Sequence, residues 1–290
     1  MWRRSTVIIS VVSGKGGAGK TTLAVSIAQV FEAEFYDLDV DAPNAEYFLQ
    51  PDFSKTTPIT QPIPIIDEDL CDGCGICTKE CRFNALYRIM KTVYLSEPLC
   101  HGCGLCEMVC PQQAISYHDS TVGDIRTGYS QRTNNVVHVG DLIIGSTRGT
   151  YLISEMVKRI DPDKLSVIDG PPGNSCAAVA AIKPADLVVM VVEPTPFGFH
   201  DMQQTEQIVQ QMGKNYLIIA NKAMGDAGVE EFFQDKSKKA VLTIPLDDRY
   251  HKANLQGEIL SQQFNEIHAG LHRVLSPLVL FTENQELTDS

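Results

Sequence analysis

The sequence predicts an α/β fold built on a mostly parallel, doubly wound sheet, with a small α+β domain inserted into it. Three observations predict it. Short apolar runs such as residues 6–12 and 187–192 have the length of strands buried on both faces. Stretches with helical spacing separate such runs. Eight of the nine cysteines crowd between Cys71 and Cys110, where the strand–helix pattern stops.

Composition narrows the function classes. The chain has 290 residues, 43 % apolar and 21 % charged, which supplies a sizeable core and argues against general disorder. Lys plus Arg total 24 against 36 Asp plus Glu, a net charge of −12. That sign repels phosphate backbones and anionic lipid, so neither nucleic acid nor a direct membrane anchor is expected. No apolar run approaches the roughly 18 residues of a membrane span. Met1-Trp2-Arg3-Arg4 and the apolar run after it look like a signal peptide. That run enters a glycine loop within a few residues, so it reads as a first strand and the protein as cytoplasmic. Cysteines crowded in a cytoplasmic chain point to metal rather than disulfides.

The elements follow in order. Residues 6–12 form the first strand, ending at Ser13-Gly14. Leu23, Ile27 and Val30 give 20–31 a helical spacing. Residues 33–38 form a second strand, closed by the acidic stretch Asp37-Leu38-Asp39-Val40-Asp41. Pro51, Pro58, Pro62 and Pro64, without helical period, read as a linker over 51–66. The cysteine segment then repeats itself at a spacing of 29: Cys71 with Cys100, Cys74 with Cys103, Cys77 with Cys106 and Cys81 with Cys110. From about 120 the α/β pattern resumes, with a helix over 151–160 and a strand over 165–168 ending in Asp169. Strands at 187–192 and 216–220 flank a helix at 202–212, and 241–244 is the last strand. The expected organisation is one α/β domain from 1–60 and 120–290, with 61–119 inserted after its second strand.

Gly14-Lys15-Gly16-Gly17-Ala18-Gly19-Lys20-Thr21, followed by Thr22, fits G-x-x-x-x-G-K-[ST] between a strand and a helix. Glycines let the backbone wrap a phosphate, and the amides and helix N-terminus face its charge. Lys20 is expected to reach the β and γ phosphates of ATP or ADP, and Thr21 to ligate Mg²⁺.

Lys15, directly after the first glycine, makes this the deviant form of the loop. Here the sequence resembles the MinD/Mrp/nitrogenase iron protein group of P-loop ATPases. The resemblance implies a slow, partner-stimulated, Mg-dependent ATPase. It implies that Lys15 crosses to the nucleotide of a second subunit, in a homodimer or a heterodimer with a related ATPase. Asp39 matches the switch I aspartate that helps position Mg²⁺ and the attacking water. Asp169-Gly170-Pro171-Pro172-Gly173 resembles switch II, whose aspartate acts on Mg²⁺ through water and whose glycine senses the γ phosphate. Asn221 resembles the adenine-contacting asparagine; a turn-forming asparagine is the plainer alternative.

Each cysteine run is C-x2-C-x2-C-x3-C, and Pro111 follows the second, as in bacterial ferredoxins. Zinc sites instead pair two cysteines with a long gap before two more ligands. In a two-cluster ferredoxin the fourth cysteine of each run serves the other cluster. The resemblance implies one 4Fe–4S cluster on Cys71, Cys74, Cys77 and Cys110, and a second on Cys100, Cys103, Cys106 and Cys81. Arg82 stands where a proline is expected after Cys81. Taken together, nearly the whole chain resembles MinD-superfamily ATPases containing an inserted ferredoxin domain. Cys176, just past switch II, reads either as a small buried thiol at a helix start or as a redox-active or cluster-ligating thiol.

The combination implies a dimeric switch that binds and hydrolyses ATP. It couples nucleotide state to electron transfer through two clusters to a redox protein partner. Two other classes stay open. One is an iron–sulfur or cofactor maturation ATPase, disfavoured by the lack of a C-x-x-C after residue 176. The other is a positioning or scaffold ATPase with a redox-sensing ferredoxin domain. The tail from Leu278 carries no lysine or arginine, which argues against a basic membrane-binding helix.

Overall fold

The computed structural model describes residues 7–225 and 239–280. The leader-like residues Met1 to Arg4 and the acidic tail beyond 280 lie outside the described residues. The strands are β1 (Ile8–Val12), β2 (Glu34–Asp37), β3 (Pro51–Ile66), β4 (Leu86–Ile89), β5 (Thr92–Leu95), β6 (Ile115–Ser130), β7 (Val136–Leu142), β8 (Ser166–Asp169), β9 (Leu187–Val192), β10 (Asn215–Ala223) and β11 (Leu242–Pro245). The helices are α1 (Lys20–Phe31), α2 (Ala45–Leu49), α3 (Ile76–Glu80), α4 (Leu105–Met108), α5 (Gly149–Val157), α6 (Cys176–Ile182), α7 (Pro196–Gln211), α8 (Asp248–Leu255), α9 (Leu260–Gln263) and α10 (Asn265–Leu280).

Nine strands form one sheet in the order β11-β10-β9-β1-β8-β2-β7-β6-β3. From β11 to β7 every pairing is parallel; β6 and β3 join antiparallel. The continuous apolar runs are explained by cover on both faces. In β9, Leu187, Val189 and Val191 join the core under α1 and α10, while Val188, Met190 and Val192 pack under α7. Burying one such side chain contributes roughly 1.5–3 kcal/mol, so the run fixes the strand's place in the sheet interior. A third cluster, with Tyr36, Leu38, Ile168, Leu152 and Met156, lies under α5 and α6.

Residues 51–66 are not a linker. They form β3, paired with β6 from Pro51↔Ser130 to Ile66↔Ile115. Prolines are tolerated because β3 is the sheet's edge strand, where a missing N–H faces no neighbour. Ile59, Gln61 and Ile63 are buried while Pro58, Thr60 and Pro62 are exposed, the alternation of a strand. The helix expected at 202–212 begins earlier, at Pro196, because Thr195 caps it by accepting from Gly198 N at 3.1 Å.

The β3–β6 ribbon outruns the sheet. Its neighbour β7 ends at Leu142, opposite Gly123, so residues 60–66 and 115–121 overhang the C-terminal edge of the parallel strands by roughly 20 Å. The cysteine segment folds at the tip of this overhang. Its internal symmetry is wider than the cysteines alone: β5 lies 29 residues after Ile63–Ile66, and the start of β6 lies 29 residues after β4. The register obeys the same symmetry, since Leu86↔Leu95 corresponds to Ile66↔Ile115. Helices α3 and α4 are likewise equivalent, each starting after a glycine in the left-handed region, Gly75 (φ 75) and Gly104 (φ 80).

Candidate functional site

The loop from Ser13 to Lys20 joins β1 to α1 at the C-terminal edge of the sheet, where an α/β fold gathers its ligand site. It borders a cleft of about 990 Å³, counting its open mouth, lined by Gly16, Gly17, Lys20, Thr21, Asp39 and Lys222 among others. Gly14 has no room for a side chain, because a Cβ there would stand 2.5 Å from the Asp201 backbone of α7. Thr22 is buried, and its hydroxyl donates to Asn254 Oδ1 of α8 at 3.1 Å.

Lys20 is buried and bonds Asp169 Oδ1 at 2.5 Å; Asp39 Oδ2 lies 3.8 Å away. Burial works to lower the Lys20 pKa, but Asp169, Asp39 and Asp37 outweigh it and the pKa is raised. Burial raises the Asp39 carboxyl, with Lys20 opposing. The other Asp169 oxygen, Oδ2, is buried without a hydrogen-bond partner. That oxygen, the Thr21 side chain and Asp39 are hard donors beside the phosphate loop, a set that fits Mg²⁺.

Asp39 does not close the second strand. β2 ends at Asp37, and Asp39 lies two residues beyond. Sequence reasoning passed over Asp37, which is fully buried. Its carboxylate accepts from the backbone N–H of Asp39, Asn44 and Ala45 at 3.1–3.2 Å, so it shapes the turn after β2 and starts α2. Burial, then Asp169, pushes Asp37 up to about 8. Its place as the last residue of a buried strand was the signal available.

Gly173 N donates to Ser13 O at 3.0 Å, which ties the loop after β8 to the phosphate loop. Asn221 is buried and donates from Nδ2 to Ala18 O at 2.8 Å; in this structure its amide holds the loop. Lys222 was also passed over: its Nζ bonds Gly17 O at 2.6 Å. Lys15 pairs within its own chain with Glu193, 3.6 Å away. Cys176 is exposed, not buried, as the first residue of α6 behind the Ser175 cap.

At the ribbon's tip the cysteines line two pockets. One of about 330 Å³ is lined by Cys71, Cys74, Cys77 and Cys110; one of about 370 Å³ by Cys81, Cys100, Cys103 and Cys106. Burial, then neighbouring cysteines, raises the Cys77 thiol; Cys100 is raised by burial and its cysteine neighbours against a backbone N–H bond. Backbone N–H groups point at sulfur, Gly102 to Cys100 Sγ at 3.5 Å and Ala114 to Cys110 Sγ at 3.4 Å. Among the described residues, no three His, Cys, Asp or Glu side chains converge as for a single metal ion. A 4Fe–4S cluster spreads four thiolates over four irons, and the four cysteines lining each pocket suit it by donor type and count.

The chain matches the family described as the CobQ/CobB/MinD/ParA nucleotide binding domain over residues 9–260. The chain belongs to this family. Among the relatives, uncharacterized protein MJ0578 of Methanocaldococcus jannaschii is 34 % identical over 74 % of this chain and 77 % of its own. Uncharacterized protein MJ0579 of the same organism is 27 % identical over 87 % of this chain and 90 % of its own. Among solved structures, the cell division ATPase MinD of Pyrococcus furiosus superposes with a TM-score of 0.57 at 18 % identity, over 94 % of this chain and 99 % of that one. MinD of Pyrococcus horikoshii, complexed with Mg-ADP, gives 0.57 at 18 % identity, over 92 % and 95 %. These likenesses establish the MinD-like P-loop NTPase fold, with its large, mostly parallel sheet. Among the described residues no helix is long and apolar enough to cross a membrane.

Proposed function

We propose that this protein is a Mg-dependent ATPase whose nucleotide state governs electron transfer through two 4Fe–4S clusters to a protein partner. One observation carries the reading. Two pockets, each lined by three cysteines of one run and the fourth of the other, sit on a ribbon that starts two residues after α2. The N-terminus of α2 hangs on Asp37, and α2 lines the nucleotide cleft through Tyr47 and Phe48. Switch I and the cysteine module are thus joined by continuous ordered chain, α2 and the 16-residue strand β3.

Lys20 carries the nucleotide step. A triphosphate offers it a second anion, and its move from Asp169 to the β and γ phosphates frees that carboxylate for Mg²⁺. Asp169 and Asp39 then hold the ion and the attacking water, by positioning rather than a covalent step. Gly173 reads the γ phosphate and relays it to Ser13 through its backbone bond. In the proposed dimer, homomeric or with a related chain, Lys15 leaves Glu193 for the partner's nucleotide. Bound in the module, the clusters supply one-electron transfer.

Anaerobic purification with iron, sulfide and EPR analysis tests the reading. About eight irons and eight labile sulfides per chain are expected, from two four-iron clusters. Mg-dependent ATP hydrolysis is expected to disappear in Lys20→Ala. Zinc in place of iron, or no metal, would overturn the electron-transfer reading and favour a MinD/ParA-like positioning ATPase.

A further inference from the structure

The two halves of the cysteine module are equivalent by sequence and register, yet their surroundings differ. The loop before Cys100 touches the nucleotide-binding body. Thr147, in the loop after β7, donates to Pro98 O, and Arg148 Nη2 donates to Ser120 Oγ at 3.0 Å, which in turn faces Glu97 Oε2 at 3.5 Å. Gly102 packs against the Pro62 backbone of the ribbon. The pocket with Cys100, Cys103 and Cys106 therefore faces the body.

The equivalent loop before Cys71, 29 residues earlier, makes no such contact among the described residues, and it is exposed from Asp67 to Leu70. Where the docked half reads Ser96-Glu97-Pro98-Leu99, this half reads Asp67-Glu68-Asp69-Leu70. Beside it stands the β4–β5 hairpin, whose Lys91 backbone packs on Gly73 and whose Arg88 donates to Gly73 O at 2.7 Å. The outer face of that hairpin is apolar and exposed: Tyr87 46 %, Ile89 56 %, Met90 91 % and Tyr94 42 %.

The internal repeat supplies its own control. The residues equivalent to Tyr87 and Ile89 are Ser116 and His118 on the ribbon. The fold therefore tolerates polar residues at these sites, and packing does not explain the apolar pair. An exposed apolar face with a charged rim is the composition of a protein-docking surface.

We infer that the Cys71–Cys77 end of the module is the external port of the protein, which docks an electron-transfer protein presenting an apolar face within a basic rim. The inference rests on the cluster reading above. Complementarity selects the partner's charge: Asp67, Glu68, Asp69 and Asp72 are exposed here and outnumber the exposed Arg88 and Lys91 beside them, on a chain of net charge −12. Cys74, on the same loop, is exposed. In the docked complex one electron passes between the cluster held by Cys71, Cys74, Cys77 and Cys110 and the partner's acceptor. One centre is oxidised by one electron and the other reduced by one, with no bond made or broken.

The test uses ferric cytochrome c, a small basic redox protein, as the probe. Its affinity for the oxidised, full-length protein is measured by calorimetry at low and high salt. Glu68→Gln/Asp69→Asn is expected to weaken binding at least fivefold at low salt. A charge-matched variant on the body-facing half, Glu107→Gln/Asp119→Asn, is expected to stay within twofold of wild type. Tyr87→Ser/Ile89→His carries the residues of the other half, so it is compatible with the fold, and is expected to weaken binding at least threefold at both salt levels. Equal effects of the two charge variants, or wild-type binding by the hairpin variant, would overturn the inference. Iron content separates the two readings. Selective binding by a protein without iron would overturn the clusters alone; unselective binding by a protein with two clusters would overturn the port alone.

Discussion

Nζ of Lys20 stands 2.5 Å from Oδ1 of Asp169, with the two side chains 7 % and 0 % exposed. Asp37, also fully buried, is close enough to contribute to the Lys20 pKa. One lysine thus serves a buried acidic group, and burial, then Asp169, raises the Asp37 pKa.

That arrangement fixes a pH dependence. Asp37 is pushed up to about 8 in the fold, against roughly 3.9 in an unfolded chain. Between these values the native state holds a proton that the unfolded state has lost, so this group's contribution to stability falls as pH rises. Lys20, with its pKa raised, titrates above that window. The midpoint of thermal unfolding is expected to fall between pH 5 and 8 more steeply in wild type than in Asp37→Asn. Parallel slopes would contradict it.

Asn221 gives a second prediction. Its amide donates to Ala18 O, and Lys222 holds Gly17 O one residue earlier in the loop. Asn221→Ala is therefore expected to weaken ADP and GDP binding by similar factors, about fivefold for one lost hydrogen bond of roughly 1 kcal/mol. Calorimetric titration of both nucleotides checks this. A selective loss of ADP binding would mean that the side chain reads adenine.

The Lys15–Glu193 pair is 35 % and 30 % exposed, so water screens it and its worth is at most about 1 kcal/mol. Glu193→Gln is expected to lower the concentration for nucleotide-dependent dimerisation by less than about fivefold. Sedimentation with a non-hydrolysable ATP analogue reads the shift. A weaker dimer would show that Glu193 contributes to the interface instead of holding Lys15 back from it.

The crossed cysteine sets predict a non-additive pattern. Cys110→Ser combined with Cys71→Ser strikes one pocket and is expected to leave about four irons per chain. Cys110→Ser combined with Cys100→Ser strikes both and is expected to leave almost none. Iron analysis distinguishes them, and equal losses would contradict the crossing.

The phosphate loop, Asp169 and the cysteine repeat were legible because each is a local pattern whose spacing carries the chemistry. The second strand, α1 and the central strands were legible from apolar runs. The β3–β6 ribbon was not, because prolines at 58, 62 and 64 read as breakers unless the strand is known to be an edge, and that is a property of the sheet. Asp37 was hidden for a similar reason. Three acids alternate from Asp37 to Asp41, and only the end of β2 shows which one turns inward. Lys222 and Glu193 find their partners across the loop from distant strands, a relationship no local window contains.

The central claim is that nucleotide state and the clusters are coupled. Its direct test is an anaerobic redox titration of the full-length protein followed by EPR, without nucleotide, with Mg-ADP and with a non-hydrolysable Mg-ATP analogue. Coupling through switch I and the ribbon predicts that at least one cluster shifts by about 60 mV between states, or roughly 1.4 kcal/mol for a one-electron couple. Potentials that coincide in all three conditions would contradict it.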